Sequence, residues 1–144
     1  MTSCDTNLVL YAYNASAPEH EAALRFLRRH LEDPDFGISE FVLAEFYNLI
    51  RNPAVVKPAF SPGAAVLLVD ELRTNPHWTI LKGTVDVSDQ VWQVAATRDF
   101  PRRAIFDARL AYSLAAEGVT RFATRNVAEF RRFGAFEVFD PIAG

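Results

Sequence analysis

Short apolar runs alternate with longer helical patterns along the whole chain, and this alternation constrains the fold more than any other feature of the sequence. Strand-like runs are predicted at residues 2–9, 36–39, 78–81, 121–123 and 136–139. Helical patterns are predicted at residues 18–31, 40–51, 61–73, 88–97, 104–117 and 127–132. Strands that alternate with helices are typical of an α/β fold, which we therefore predict.

Three local signals set helix boundaries within this pattern. Ser39 is placed to cap the helix that follows it, and Ser61 precedes a proline at a first helical position. Gly118 is a natural left-handed stop for the helix that ends before it.

The composition bounds the class of protein. The 144 residues fit a single domain, residues 1–144, and half of them are hydrophobic, as in a globular protein. The single cysteine, Cys4, excludes an internal disulfide and a zinc site built from several cysteines. No basic leader precedes the first apolar run, and no apolar stretch approaches the ~20 residues that cross a bilayer. We therefore expect a cytoplasmic protein without a membrane partner.

Charge is distributed unevenly, although the net charge is only −3. Residues 98–132 carry eight arginines against four acids, and arginine is well suited to bidentate phosphate contacts. The alternative interpretation is a set of solvated helix faces. The arginines are Arg98, Arg102, Arg103, Arg109, Arg121, Arg125, Arg131 and Arg132.

Three acids lie where the hydrophobic pattern predicts apolar residues. Asp5 interrupts the first strand-like run, Glu45 lies inside the apolar stripe of residues 40–51, and Asp107 lies inside that of residues 104–117. On the helix predicted at residues 104–117, the side opposite Asp107 is predicted to carry Arg109, Ser113 and Glu117. A buried carboxylate costs several kcal/mol unless it is neutralised. One shared cation would neutralise all three, whereas separate salt bridges or helix caps are the structural alternative.

Magnesium or manganese fits such a site better than zinc does. These hard cations choose carboxylate oxygens and water, whereas zinc selects nitrogen and sulfur ligands. The three histidines, His20, His30 and His77, are scattered through predicted helix and loop, and we interpret them as surface residues.

Four segments in order resemble PIN-domain nucleases, specifically the VapC-type toxins of prokaryotic type II toxin–antitoxin pairs. The resemblance implies a three-layer α/β/α sandwich with a mostly parallel, short-stranded sheet. It also implies an Mg²⁺- or Mn²⁺-dependent endoribonuclease that hydrolyses RNA with a metal-activated water, leaving a 5′ phosphate and a 3′ hydroxyl. The four segments are residues 4–12 (CDTNLVLYA), 39–45 (SEFVLAE), 107–111 (DARLA) and 123–130 (ATRNVAEF).

Site residues follow from the resemblance by position. Asp5 and Asp107 would be principal metal ligands and Glu45 the third acid. Asn7 and Thr124 would orient the carboxylates or a water.

A fourth acidic position of the family is often an aspartate, and here it is Asn126, which supplies no charge and cannot act as a base. Glu129 is the candidate to compensate, although a glutamate at that place is more often solvated. We therefore expect at most one tightly held ion. Arg98, Arg102, Arg103 and Arg125 are candidates to bind flanking phosphates, and structural ion pairs would give the same pattern.

Partners follow from the same resemblance. It implies a cognate antitoxin whose C-terminal segment lies along the toxin, and a homodimer. Candidates to line the antitoxin groove, as in helix-in-groove recognition, are the aromatic residues Phe41, Phe46, Tyr47 and Phe60. The chain has twelve phenylalanines, however, and core packing is the expected role of most of them.

Other functions remain open. One is a catalytically inert PIN-like module that binds RNA or protein, which the Asn126 substitution favours slightly. A DNA-directed nuclease is another, because phosphodiester chemistry does not choose the sugar. Phosphatases of the haloacid dehalogenase type need a second aspartate where this chain has Asn7. Receiver domains need a lysine on a late strand, but the only lysines are Lys57 and Lys82.

Overall fold

The computed structural model describes residues 1–143, and it confirms the predicted α/β fold with its short parallel strands. The strands are β1 (Thr2–Cys4), β2 (Gly37–Ser39), β3 (Thr79–Leu81), β4 (Arg121–Ala123) and β5 (Glu137–Phe139). The helices are α1 (Thr6–Ala12), α2 (His20–Arg29), α3 (Glu40–Ile50), α4 (Pro62–Arg73), α5 (Ser88–Ala95), α6 (Ala104–Ala116) and α7 (Val127–Arg131).

All the strand pairs of the described residues are parallel. Strand β4 pairs with β1 on one side and with β5 on the other, so that Cys4 and Phe139 both lie beside Ala123. Strand β2 pairs with β3, and a single parallel bridge between Thr2 and Phe36 connects β1 to the residue before β2. The strands thus form a three-stranded sheet in the order β1-β4-β5 and a two-stranded sheet of β2 and β3, and the bridge brings β2 beside β1.

Helices cover the sheet in two groups, each with its own core. The first core joins residues of α1, α2, α3 and α4 to Ala123 of β4, and the second joins residues of α6 and α7 to Phe122 of the same strand. Because successive side chains of a strand point to opposite faces, these two neighbours reach opposite cores. Phe46 and Phe130 are fully buried, one in each core, and burial of such a side chain contributes about 1.5–3 kcal/mol.

The predicted first strand was wrong beyond Cys4. Asp5 ends the strand and caps α1, because its side chain accepts a hydrogen bond from the Thr6 backbone amide. Leu8 and Val9, which we predicted in the strand, are buried on this helix. A short apolar run fits a strand and a buried helix equally well, so its hydrophobicity could not distinguish them.

The other predicted boundaries lie close to the observed ones, and the predicted signals are confirmed. The Ser39 side chain accepts from the Phe41 amide, and the Ser61 side chain accepts from the Ala64 amide at the start of α4. Gly118 follows α6 with a left-handed φ of 99°. No helix within residues 1–143 is long and apolar enough to span a bilayer.

Candidate active site

Asp5, Glu45 and Asp107 line one cleft of about 330 Å³, which we call the acidic cleft. Asp5 follows the carboxyl end of β1, Glu45 lies in the middle of α3, and Asp107 lies in the first turn of α6. In parallel sheets such ends form the usual ligand-binding edge, and β4 ends beside β1 at the same edge. The structure therefore brings together three acids that are up to about a hundred residues apart in the sequence.

The Asp5 carboxylate is buried and held by three donors. Its Oδ1 accepts a 2.8 Å hydrogen bond from the Thr6 backbone amide. Its Oδ2 accepts 2.7 Å and 3.4 Å hydrogen bonds from Thr124 Oγ1 and Asn7 Nδ2, respectively. The backbone is fixed as well, because the Asp5 amide donates to the Ala123 carbonyl at 2.9 Å. These contacts fix the rotamer of Asp5 in advance of any ligand.

Thr124 connects Asp5 to the fourth predicted position. It is fully buried directly after β4, and its hydroxyl also accepts a 3.0 Å hydrogen bond from the Asn126 backbone amide. Asn126 itself is exposed, and its side chain does not cap α7. Asn7 Oδ1 is buried and accepts no hydrogen bond from residues 1–143, so one polar atom next to Asp5 has no partner there.

Burial and neighbouring carboxylates raise the pKa of two acids of the cleft, Asp5 and Asp107. Burial raises the pKa of Asp5, and the charges of Glu45 and Glu129 raise it further against the opposing hydrogen bonds from Thr124 and Thr6. Asp107 has no such donors, and burial together with the charges of Asp5, Glu129 and Glu45 raises its pKa to about 6. At neutral pH the metal-free site therefore holds repelling charges, and a cation would relieve this repulsion.

Glu45 differs from its predicted setting, whereas Glu129 is solvated, as expected. Glu45 is exposed to the cleft and not buried in an apolar stripe, because the buried face of α3 is formed by Val42, Leu43, Phe46 and Ile50. Glu129 is exposed on α7, yet its charge acts on both Asp5 and Asp107. The fourth carboxylate near the cleft is thus Glu129, whereas the residue in the family slot, Asn126, is neutral.

The donor set fits a hard divalent cation held by few protein ligands. Within residues 1–143, no group of three or more acids, histidines and cysteines is arranged to hold one ion directly. Mg²⁺ commonly binds through one or two carboxylates and keeps several waters, so two direct ligands with further acids at longer range suffice. None of the three histidines lines the cleft. His20 and His30 are also half-buried, contrary to their predicted surface position.

The predicted phosphate-binding arginines divide into two groups. Arg125 forms a 2.7 Å ion pair with Asp140 and so has a structural partner. Arg98, Arg102 and Arg103 are exposed in the segment that leads into α6, and the nearest acid to Arg98 is Asp99 at 3.9 Å.

Sequence reasoning missed Arg109, which lines the acidic cleft with its guanidinium 5.7 Å from the centre of the Phe41 ring. Helical periodicity placed it opposite Asp107, and no signal in the sequence shows that a long side chain returns to the cleft. Ser113, predicted on the same side as Arg109, is buried, because α5 packs against that side of α6.

The prediction that four aromatic residues line one antitoxin groove was wrong, because they do not share a surface. Phe46 is fully buried in the core, and Phe41 lines the acidic cleft. Tyr47 lies in a shallow groove between α3 and α4, and Phe60 lies in another depression beside the 56–61 loop. On α3, the helical spacing points Phe41, Phe46 and Tyr47 in different directions, and Phe60 lies outside this helix.

Comparisons with known proteins agree with this geometry. The PIN domain family model matches residues 3–135. The chain is 46% identical to Ribonuclease VapC24 of Mycobacterium tuberculosis over 143 residues, covering 99% of this chain and 97% of that protein.

Two solved structures share the fold. Mycobacterium tuberculosis VapC20, described as a sarcin-ricin loop cleaving toxin, aligns with a TM-score of 0.64 at 20% identity, over 85% of this chain and 87% of that one. VapBC2 from Rickettsia felis, bound to a DNA fragment from its promoter, aligns with a TM-score of 0.64 at 14% identity, over 96% and 97%. The chain belongs to the PIN-domain family, among the VapC ribonucleases.

Proposed function

We propose that this protein is a divalent-metal-dependent endoribonuclease and the toxin of a type II toxin–antitoxin pair. The observation that carries the proposal is the acidic cleft, where the lining combines one basic residue, Arg109, with three acids, Asp5, Glu45 and Asp107. No lysine, arginine or histidine of residues 1–143 forms an ion pair with any of them. The name of the 46% identical relative, a ribonuclease, supports RNA as the substrate.

Asp5 and Asp107 are the proposed metal ligands, with Glu45 as the third acid and Glu129 as a further charge at longer range. A bound Mg²⁺ or Mn²⁺ would supply an activated water and charge neutralisation for the displacement at phosphorus. Thr124 and Thr6 keep the Asp5 carboxylate oriented and favour its ionised form. Asn7 is proposed to orient a water or the Asp5 carboxylate, to which its side-chain amide donates.

Arginines are proposed to hold the phosphates that flank the cut. Arg109 lines the cleft, and Arg98, Arg102 and Arg103 are exposed in the connection before α6. Arg125 is less suited to this role than predicted, because its ion pair with Asp140 would have to break.

An antitoxin and a second copy of the chain are the proposed protein partners. The structural relative from Rickettsia felis is a VapBC2 assembly, which supports a partner chain for this protein. A cytoplasmic site of action follows from an RNA substrate. We expect light scattering of the purified protein to give the mass of a homodimer.

Cleavage of total cellular RNA by antitoxin-free protein tests the proposal. The reactions contain Mg²⁺, Mn²⁺ or EDTA and use the wild type, Asp5→Asn and Asp107→Asn. Asp70→Asn is the matched control, because it makes the same change at an exposed acid of α4 outside the cleft. We expect discrete fragments from the wild type and the control in the presence of metal only.

Two other results would contradict the proposal. A folded wild type that cuts no RNA and binds no Mn²⁺ in a titration would indicate an inert binding module. Cleavage that survives both EDTA and Asp107→Asn would point to a contaminating nuclease or to chemistry that does not use the cleft.

A further inference from the structure

A second groove adjoins the acidic cleft, and we call it the aromatic groove. It has a volume of about 600 Å³ and lies between α5, the start of α6 and the 83–88 loop. Phe106 and Arg109 line both the groove and the cleft, so the two form one continuous depression. The volume lies in the range of roughly 300–1,000 Å³ that is typical of small-molecule sites.

Two large aromatic rings at this groove are left in water. Trp92 of α5 is 66% exposed and Phe106 of α6 is 76% exposed. By contrast, Phe36, Phe46 and Phe122 have no exposed surface, and Phe41, which lines the adjoining acidic cleft, is 45% exposed. Exposed rings in one depression mark a surface that stacks against a ligand with a flat face.

The lining of the groove carries two opposite charges, Asp86 in the 83–88 loop and Arg109 on the side of the acidic cleft. Arg109 stands at the junction with the acidic cleft, and no carboxylate within residues 1–143 forms an ion pair with it. Arg102 and Arg103 are exposed just before α6, and the side chain of Arg98 is 96% exposed. An unpaired guanidinium between a carboxylate site and an aromatic surface matches the alternation of phosphate and base along a nucleic-acid strand.

We propose that the aromatic groove binds an unpaired nucleotide of the RNA next to the scissile phosphate. Its base stacks against Trp92 and Phe106, and Arg109 holds the phosphate between this nucleotide and the acidic cleft. The proposal rests on the proposed ribonuclease function and adds the residues that would contact one unpaired nucleotide of the substrate beside the acidic cleft. A base in a continuous duplex could not reach the rings, because its faces are covered by its neighbours.

A protein segment is the competing occupant of the groove. An apolar peptide would cover Trp92 and Phe106 equally well, but it would leave Arg109 and the arginines before α6 without anionic partners. The groove also leads directly into the acidic cleft, where a substrate strand must pass. The charge and this continuity favour RNA.

Binding of a labelled, unstructured RNA of mixed sequence and about 12 nucleotides tests the proposal, since such a length spans typical single-strand sites. Fluorescence anisotropy in EDTA prevents metal-dependent cleavage during the titration. The variants are Trp92→Ala, Trp92→Phe and Arg109→Ala. Leu67→Ala is the matched control, because Leu67 is a 69% exposed apolar residue of α4 that lines neither depression.

Stacking and phosphate contacts give different signatures. We expect Trp92→Ala to weaken binding by between about fivefold and 100-fold without changing its salt dependence. Trp92→Phe keeps a flat ring and should restore most of the affinity. Arg109→Ala should weaken binding and reduce the slope of log K against log salt by about 0.7, the value for one lost phosphate contact on a single strand. Circular dichroism checks that each variant is folded.

Several results would overturn the proposal. RNA affinity that is unchanged in a folded Trp92→Ala would exclude base stacking at this groove. If that variant instead changed the mass of the protein in solution, the groove would be an interface between copies of the chain. In both cases, metal-dependent cleavage by the wild type would still support the ribonuclease function, and only the proposal for the aromatic groove would fail. A wild type that neither binds the probe nor cuts cellular RNA would overturn both proposals.

Discussion

Neutralising Asp107 should stabilise the metal-free protein while it removes activity. The pKa of Asp107 rises from the ordinary value of 3.8 to about 6, mainly through burial and secondly through the charge of Asp5. A shift of about two units corresponds to about 3 kcal/mol of ionisation cost. Because the side chain is only half-buried, solvent screens part of this cost. We therefore expect Asp107→Asn to raise the free energy of unfolding by about 1–2 kcal/mol at neutral pH.

The pH dependence of this gain has a definite sign. A carboxyl with a raised pKa in the folded state binds its proton more tightly there than in the unfolded chain. Below pH 3.8 the Asp107 carboxyl is protonated in both states, so the wild type carries no penalty from it. As the pH rises from there to about 6, the wild type loses stability, and above about 6 the penalty is complete. The advantage of Asp107→Asn should therefore be full at pH 7.5 and should disappear at the acidic end of this window.

Urea unfolding in EDTA, followed by circular dichroism at several pH values, measures this advantage. Asp70→Asn is the control for a loss of one negative charge outside the cleft. Saturating Mg²⁺ should stabilise the wild type and leave Asp107→Asn nearly unchanged, because a ligand stabilises only the state that binds it. The reasoning is refuted if Asp107→Asn is no more stable than the wild type at pH 7.5 in EDTA, or if its advantage persists at low pH.

Three further variants test the scaffold of the site. Asp5→Asn should abolish RNA cleavage, as a nuclease assay would measure. In urea unfolding it should stabilise the metal-free protein less than Asp107→Asn does, because it also weakens the hydrogen bonds that the Asp5 carboxylate accepts. Thr124→Val removes the 2.7 Å donor to Asp5 and should cost about 1–3 kcal/mol together with much of the activity, whereas Thr124→Ser should retain both. Gly83→Ala should destabilise the protein more than Gly118→Ala, as thermal unfolding would measure. Both glycines have a positive φ, a conformation that costs a residue with a Cβ about 1–2 kcal/mol. Only at Gly83 would the added Cβ also meet the Phe41 ring, at 2.6 Å. Equal losses at the two glycines would show that the contact with Phe41 is unimportant.

Much of the fold could be predicted because its signals are local. Ser39, Ser61 and Gly118 mark helix boundaries through their own hydrogen bonding and φ preference, so the sequence nearby suffices to place them. The alternation of strands and helices fixes the α/β class for the same reason. The helical apolar run after Asp5 was missed because both faces of that segment lie against protein, which removes the periodic pattern.

A site residue could be predicted from the sequence only where a charged side chain interrupts an apolar pattern. Asp5 stood out as an acid in an apolar run, and it is indeed buried. Glu45 stood out for the wrong reason, since it faces the cleft and not the core. Arg109 did not stand out as a site residue, because it is an exposed charged residue, and Glu129 was a candidate only through the resemblance. The packing of α6 and α7 around the ends of β1 and β4 brings both near the other acids.

The absence of ion pairs at the acidic cleft argues for a ligand more strongly than the acids themselves do. A carboxylate kept for stability would be paired, as Arg73 pairs with Glu40 and Arg125 pairs with Asp140 elsewhere in the chain. Within residues 1–143, none of the acids of the cleft has such a partner, although Arg109 lines the same cleft. The fold thus carries an electrostatic cost that pairing with Arg109 would remove. Repulsion of this kind persists where a function requires it. A divalent cation bound between the acids would remove the repulsion, and Arg109 would remain available to bind a phosphate.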